Sequence, residues 1–166
     1  MLIEHGVKYW RFFTIAPIGR AATDNALQLD TQGMRQLMDF IVETRKEGKI
    51  NATFSCEAYT GPYERKVRDW FYFCRAGITI GSVLIDGSIS ACPNIDRGFV
   101  QGNIYKDNLL DVWENRFQPF RDRSWTKAGQ CARCKEYKNC LGGAMHLHHP
   151  VSGEITQCHY RTLKGE

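Results

Sequence analysis

No apolar run in this 166-residue chain approaches the roughly 18 consecutive residues that a membrane helix requires. A membrane-embedded role is therefore not expected. The opening stretch MLIEHGVKYW lacks the basic region, apolar region and small-residue cleavage site of a signal peptide. Blocks of like charge are also missing. Lys plus Arg number 22 against 18 Asp plus Glu, and the basic residues are scattered, so the net +4 reads as a solvated surface and not as a nucleic-acid footprint. There is no internal repeat and no low-complexity tract. Seven cysteines is an odd number for a disulfide framework, and clustered thiols without an export signal point to a thiol-reducing, cytoplasmic compartment. A hydrophobic content of 43% is enough for a packed core, in one ordinary domain or two small ones.

What the chain does have is a cysteine set near its end. Cys131, Cys134, Cys140 and Cys158 follow the spacing C-x2-C-x5-C-x17-C. Three thiols within ten residues cannot all pair as disulfides without strain. A tight CxxC followed by two more thiolates suits tetrahedral Zn or the corners of an iron-sulfur cluster, and the spacing alone leaves both open.

The first seventy residues read as strand, helix, strand. Lys8 to Ile15 has the aromatic and β-branched content of a buried strand, which Ala16-Pro17-Ile18-Gly19-Arg20 stops. Met34, Leu37, Met38, Ile41 and Val42 fall on one helical face, with Asp30 or Thr31 as N-cap and Gly48 just past the end. Ile50 to Ser55 reads as a second strand, completing the pattern of a parallel α/β unit. Two strands and one helix cannot close a sheet, so this segment reads as a piece of something larger.

From about residue 70 the chain becomes irregular. Ile78 to Ile85 and Ser88 to Cys92 flank Asp86-Gly87, a favoured type I′ pair, which predicts a β-hairpin bracketed by Cys74 and Cys92. Asp107 or Asn108 caps a short helix through Leu109, Leu110, Val112, Trp113 and Phe117 that Pro119 ends. The last forty residues have little periodicity and are expected to need a bound metal as their core. The fold class expected is thus α+β, with domains at 1–70 and 71–166.

The second part resembles a family. Cys74-x12-Gly87-x4-Cys92, then Cys131-x2-Cys134-x5-Cys140, then Cys158 is similar to the SPASM domain, the accessory iron-sulfur module of many radical S-adenosylmethionine (radical SAM) enzymes. The phrases CRAG, IDGSISACP and GNIYKDNLLDVWEN between the cysteines fit as well. The likeness covers about residues 70 to 162. The strand before Ala16-Pro17-Ile18-Gly19-Arg20 resembles the sixth barrel strand of those enzymes, and the Met34 to Val42 helix resembles the one after it. The resemblance implies a partial radical SAM barrel followed by a SPASM domain of hairpin, short helix and metal-bound loops. It also implies that Ile15, Ala16, Gly19 and Arg20 line the S-adenosylmethionine side of the barrel.

Departures refine those expectations. The family pattern continues C-x5-C-x3-C, but Ala144 stands where the next cysteine belongs. By residue-wise carry-over, Cys131, Cys134, Cys140 and Cys158 form one complete four-thiolate 4Fe-4S site, and Cys74 and Cys92 remain as two ligands of an incomplete second. The CxxxCxxC loop that binds the catalytic cluster and S-adenosylmethionine is absent, as is the GGE-type motif. The resemblance therefore implies the C-terminal part of a radical SAM peptide-modifying or maturation enzyme, inactive alone, whose auxiliary cluster serves electron transfer or substrate positioning. Its partners would be the missing N-terminal half, which would have to be supplied for S-adenosylmethionine to bind, and a peptide or protein substrate. The alternative is a small structural Zn or iron-sulfur module for protein interaction, without catalysis.

Other residues carry plainer readings. His146, His148 and His149 could supply imidazoles to a metal, although loop histidines are more often solvated or hydrogen-bonded. Cys56 reads as core packing or an idle thiol. Arg116, Arg121, Arg123 and Lys127, near Trp113, Phe117, Phe120 and Trp125, form either a partner surface or the wet side of a helix.

Overall fold

In the computed structural model, which describes residues 1–55 and 58–166, the chain runs β1 (Tyr9–Phe12), α1 (Thr31–Glu47), β2 (Asn51–Phe54), β3 (Ser82–Val83), β4 (Ser88–Ser90), β5 (Gly102–Asn103), α2 (Leu109–Asn115), α3 (Gln118–Arg121), α4 (Tyr137–Cys140) and α5 (His159–Lys164). Short 3-10 turns join these elements, and the mixture of small sheets and helices is α+β. Two compact units emerge: Met1–Phe73 together with Gln157–Glu166, and Cys74–Thr156. Cys56 lies outside the described residues. Among the described residues no helix is long and apolar enough to cross a membrane.

The first unit is built on the strand-helix-strand pattern legible in the sequence. Asp30 accepts the Gly33 amide at 2.7 Å, and Gly48 turns left-handed at φ 68°, so one residue satisfies the start of α1 and the other releases its end. Met34, Met38 and Ile41 are buried against Ala52 and Phe54 of β2, with Leu163 of α5 and Val67 in the same core. The strands pair in parallel, Tyr9 opposite Asn51 through Phe12 opposite Phe54. Phe40 of α1 meets Trp10 and Phe12 edge-on, at ring separations of 5.7 and 5.8 Å. Strand β1 is shorter than expected: Phe13 and Ile15 lie beyond the ladder and are exposed.

A buried ion pair completes this unit, and nothing in the sequence pattern announced it. Glu64 lies 3.5 Å from Arg68 with both side chains almost fully enclosed. The carboxylate also accepts the Thr60 amide and hydroxyl and the Tyr72 amide. Arg68 donates to the Ala58 carbonyl and stacks over Phe54 and Tyr72. Such a pair is tolerable in low dielectric because the carboxylate accepts three further bonds and the guanidinium shares its charge with a carbonyl and two rings.

The second unit begins with the expected hairpin, but its turn differs. Leu84 pairs with Ser88 through a 2.8 Å bond, Val83 stands opposite Ile89, and Gly87 donates to the Leu84 carbonyl at 2.9 Å. Gly87 has φ 79°, while Asp86 is absent from the positive-φ residues. This is a type I turn with a left-handed glycine bulge, not the two-residue type I′ turn, so the register shifts by one residue. The Asp86 carboxylate accepts the Ser88 amide, and Asp86 keeps a φ outside the left-handed range that a type I′ turn requires. Strand β5 adds a third strand along β4 that the sequence did not predict. Asn108 caps α2 through the Leu110 and Asp111 amides. The helix stops at Asn115, and Pro119 stands in the first turn of α3, where a missing N–H costs nothing.

Ile89, Ala91, Ile95, Phe99, Val112, Phe117, Phe120 and Met145 form the core of this unit. Most of it comes from residues 76–120, so the Cys- and Gly-rich tail borrows an existing core. Its own buried side chains in this unit include Cys131, Ala144, Met145, Leu147 and His148.

Candidate metal centre

Residues 128–140 coil through overlapping tight turns. The Cys131 amide bonds to Ala128, the Cys134 amide to Cys131, the Tyr137 amide to Cys134 and the Cys140 amide to Glu136, each at 2.9–3.2 Å. The CxxC pair thus occupies a single turn, and Cys140 closes the short helix that follows. Cys131 is buried, whereas Cys134 and Cys140 are half-buried. Within the turns the carboxylate of Glu136 is held by Asn139 at 2.7 Å.

Behind Cys140 the chain makes an unusual reversal. Leu141, Gly142 and Gly143 take φ values of 47°, 82° and 79° in succession. Left-handed leucine costs about 1–2 kcal/mol, which the surrounding structure must offset. Gly142 has no room for a side chain, because a Cβ there would stand 2.3 Å from Thr126 Oγ1. Its carbonyl faces His148 Nε2 at 2.5 Å, while His148 Nδ1 faces the Gly153 carbonyl at 2.9 Å.

This settles part of the histidine reading. Both nitrogens of His148 are occupied by main-chain oxygens, so the ring offers no open position to a metal. His149 Nδ1 accepts the Val151 and Ser152 amides at 3.3 and 3.2 Å, which makes it a turn residue. Burial, with the nearby His148 as a second cause, pushes His146 below the usual histidine pKa and favours its neutral form.

Arg123 ties the cysteine segments of this unit together. Its Nη2 donates to the Cys74 carbonyl at 2.5 Å and its Nε to Phe120 at 3.0 Å. Its own carbonyl accepts the hydroxyls of Thr126 at 2.7 Å and Tyr137 at 2.8 Å. Tyr137 lies between Cys134 and Cys140, so a single buried arginine connects the start of the unit to the cysteine turns. The expectation of a wet helix side or partner surface fails for buried Arg123 and half-buried Arg121, whereas Arg116 and Lys127 are exposed. Arg121 lies over the Trp113 ring at 5.1 Å and donates to three carbonyls, and Arg116 pairs with Asp107 at 2.9 Å. Only Lys127 is exposed without such a role, its ammonium 5.6 Å from the Tyr137 ring.

Cys74 and Cys92 are half-buried and pack against the aromatic core of the second unit. Ala144, at the position of the expected cysteine, is buried, and Met145 beside it enters that core. Cys158 belongs to the first unit, where it is half-buried at the N-terminus of α5 and its carbonyl accepts the Thr162 amide. Ile15, Gly19 and Arg20 are exposed and Ala16 is half-buried, in an open turn where Gly19 has φ 57°. Among the described residues, no group of three or more His, Cys, Asp or Glu side chains converges as metal ligands would.

Residues 74–135 match the family model of the SPASM domain, described as an iron-sulfur cluster-binding domain. This segment is similar to that domain. The match opens at Cys74 and includes Cys92, Cys131 and Cys134, while Cys140 and Cys158 lie beyond its end. No curated protein and no solved structure matches the chain. In the SPASM segment, the hairpin and α2 supply the core, and Arg123 spans from its first cysteine to the turns of its last two. Arg123 was read from sequence as a surface charge and Tyr137 was not singled out, since neither periodicity nor spacing distinguishes a buried arginine from a surface one.

Proposed function

We propose that the chain is the auxiliary iron-sulfur portion of a radical SAM enzyme that modifies or matures a peptide or protein. The SPASM match carries this reading, because the domain binds iron-sulfur clusters. In the proposal, Cys131, Cys134, Cys140 and Cys158 hold one 4Fe-4S cluster, and Cys74 and Cys92 are the remnant of a second site. The donor set fits: four soft thiolates, three of them carried on turns that bring their backbone close together. Convergence of the side chains would accompany cluster binding, as is general where a metal supplies part of the folding energy.

A bound cluster of this kind supplies a one-electron reservoir. With four thiolates it has no open iron for substrate, which favours electron transfer over direct substrate binding. The β1-α1-β2 unit supports a partial barrel as its neighbour. Parallel strands are ordinarily buried on both faces, yet among the described residues β1 has a ladder partner on one side and exposes Tyr9, with Phe13 exposed just beyond its end. Further strands from an amino-terminal half would cover that edge, and that half would bring the CxxxCxxC loop. Ile15, Ala16, Gly19 and Arg20 would then stand on the S-adenosylmethionine side. A reducing, cytoplasmic setting suits the thiolates.

The ligand assignment is tested by anaerobic reconstitution of single Cys→Ser variants. Cys134→Ser and Cys158→Ser are expected to lose most of their iron and sulfide, and Cys92→Ser to keep it. Full iron content in the Cys134 or Cys158 variant would refute the set.

A further inference from the structure

The second unit carries a cleft of about 290 Å³ that no cysteine lines. Its aromatic lining is Phe99 and Trp125, whose ring centroids lie 5.4 Å apart at 39°. Pro119 and Pro150 stand beside them. The Trp125 indole N–H donates to the Pro119 carbonyl at 2.7 Å and the ring meets His148 edge-on at 5.5 Å, so it is fixed before any ligand arrives. The turn over residues 149–153 is equally set. His149 Nδ1 accepts the Val151 and Ser152 amides, and Gly153 donates back to the His149 carbonyl at 3.0 Å. Two glycines let these pieces approach: a Cβ on Gly98 would stand 2.7 Å from Pro150 Cγ, and one on Gly153 2.7 Å from the Trp125 carbonyl oxygen. Val151, 88% exposed, marks the side that opens to solvent.

Two polar groups are left for a ligand. Gln101 spends Nε2 on the Phe99 carbonyl at 2.9 Å, which leaves Oε1 an acceptor without a partner among the described residues. The exposed Ser152 hydroxyl accepts the Glu154 amide at 3.3 Å and keeps its own proton to donate. Among the described residues no charged side chain lines the cleft, so an ionised ligand group would lose water there without gaining a counter-charge. We propose that this cleft holds the side chain of a tyrosine carried on a peptide or protein segment. Its ring packs against Trp125 and Phe99, and its hydroxyl donates to Gln101 Oε1. Small-molecule sites run to about 300–1,000 Å³, so the volume here suits one ring and not a cofactor. Aromatic packing supplies the affinity, and the unspent acceptor selects a phenol over a bare ring. The Ser152 hydroxyl at the rim meets a carbonyl of the segment's main chain, which favours a peptide over a free phenol. The site neither needs nor excludes a cluster.

The test titrates the purified full chain with three probes: a capped Gly-Tyr-Gly peptide, a capped Gly-Phe-Gly peptide and p-cresol. The Trp125 indole N–H, identified by its loss in Trp125→Phe, is followed by NMR. The tyrosine peptide is expected to bind with a Kd on the order of 1 mM. The phenylalanine peptide should bind about fivefold more weakly, and cresol more weakly than the tyrosine peptide. Gln101→Leu should erase the preference for tyrosine and keep the affinity for phenylalanine. Because that change also removes the bond to Phe99, the native chain supplies a second check: the bound tyrosine ring should show NOEs to Trp125 and Phe99. An unmoved Trp125 signal, NOEs to other aromatic rings, or equal affinity of the native chain for the two peptides overturns the site. Cresol binding as tightly as the tyrosine peptide overturns it in favour of a free phenolic ligand.

Discussion

Arg123 donates from Nη2 to the main-chain oxygen of Cys74 at 2.5 Å, and so fixes the first cysteine of the SPASM segment from 49 residues away in sequence. The same residue receives the Tyr137 hydroxyl on its carbonyl. The guanidinium thus holds the start of the unit while the main-chain oxygen of the same residue holds Tyr137, so the two segments meet at Arg123.

Replacing it should therefore be costly. Arg123→Met leaves the Cys74 and Phe120 carbonyls without this donor, at about 1–3 kcal/mol for a buried polar group left unsatisfied. Arg123→Lys keeps the charge but not the planar fork, and should recover less than half of the loss. Denaturant unfolding of the reconstituted chain measures both. A loss below about 0.5 kcal/mol for Met would place Arg123 among ordinary surface residues.

Gly142 makes a second, independent demand. A Cβ would stand 2.3 Å from Thr126 Oγ1 in a backbone already at φ 82°, so Gly142→Ala combines a clash with left-handed strain. The expected loss is at least about 2 kcal/mol. Gly19→Ala serves as a control: its φ is 57° but nothing lies within 4 Å of the added carbon, and only the strain should appear.

In the first unit the Glu64 carboxylate holds Arg68, Thr60 and Tyr72 at once. Glu64→Ala should destabilise by about 3–5 kcal/mol, because it leaves a buried cation uncompensated. A denaturation midpoint within error of the native chain would show that the pair is not enclosed as described.

His146 gives the chain a pH response of defined sign. Burial lowers its folded-state pKa, so the unfolded chain takes up a proton more readily as pH falls. The stabilising contribution is present above the ordinary histidine pKa of about 6.5 and is lost as pH falls toward the depressed folded value. Stability should decline between about pH 8 and pH 5.5 in the native chain and decline less in His146→Gln. Identical slopes would contradict the assignment.

Helix α1 was legible because every local signal agreed: Asp30 at the cap, Gly48 past the end, and Met34, Met38 and Ile41 on one face. The hairpin's place was legible from Asp86-Gly87, but its turn type was not. The choice depended on whether the Asp86 side chain would bond the Ser88 amide, which composition does not reveal. Strand β5 escaped notice because two residues carry no periodic signal. The cysteine spacing pointed to the SPASM segment directly. The residue that organises it was hidden, since Arg123 reads as part of a surface until long-range packing buries it; in the first unit, the burial of Glu64 left no periodic signal either. Nor could spacing tell that Gln157–Glu166 would pack with the first unit, an outcome set by Leu163 joining the α1 core.

The central claim is that the cysteines hold an iron-sulfur cluster that accepts electrons. The most direct test is to purify the chain without oxygen, measure iron, acid-labile sulfide and zinc per polypeptide, and record the visible spectrum before and after dithionite. The account predicts about four iron and four sulfide, with a broad absorption that bleaches on reduction. About one zinc, no sulfide and no colour would contradict it and leave a structural metal module in its place.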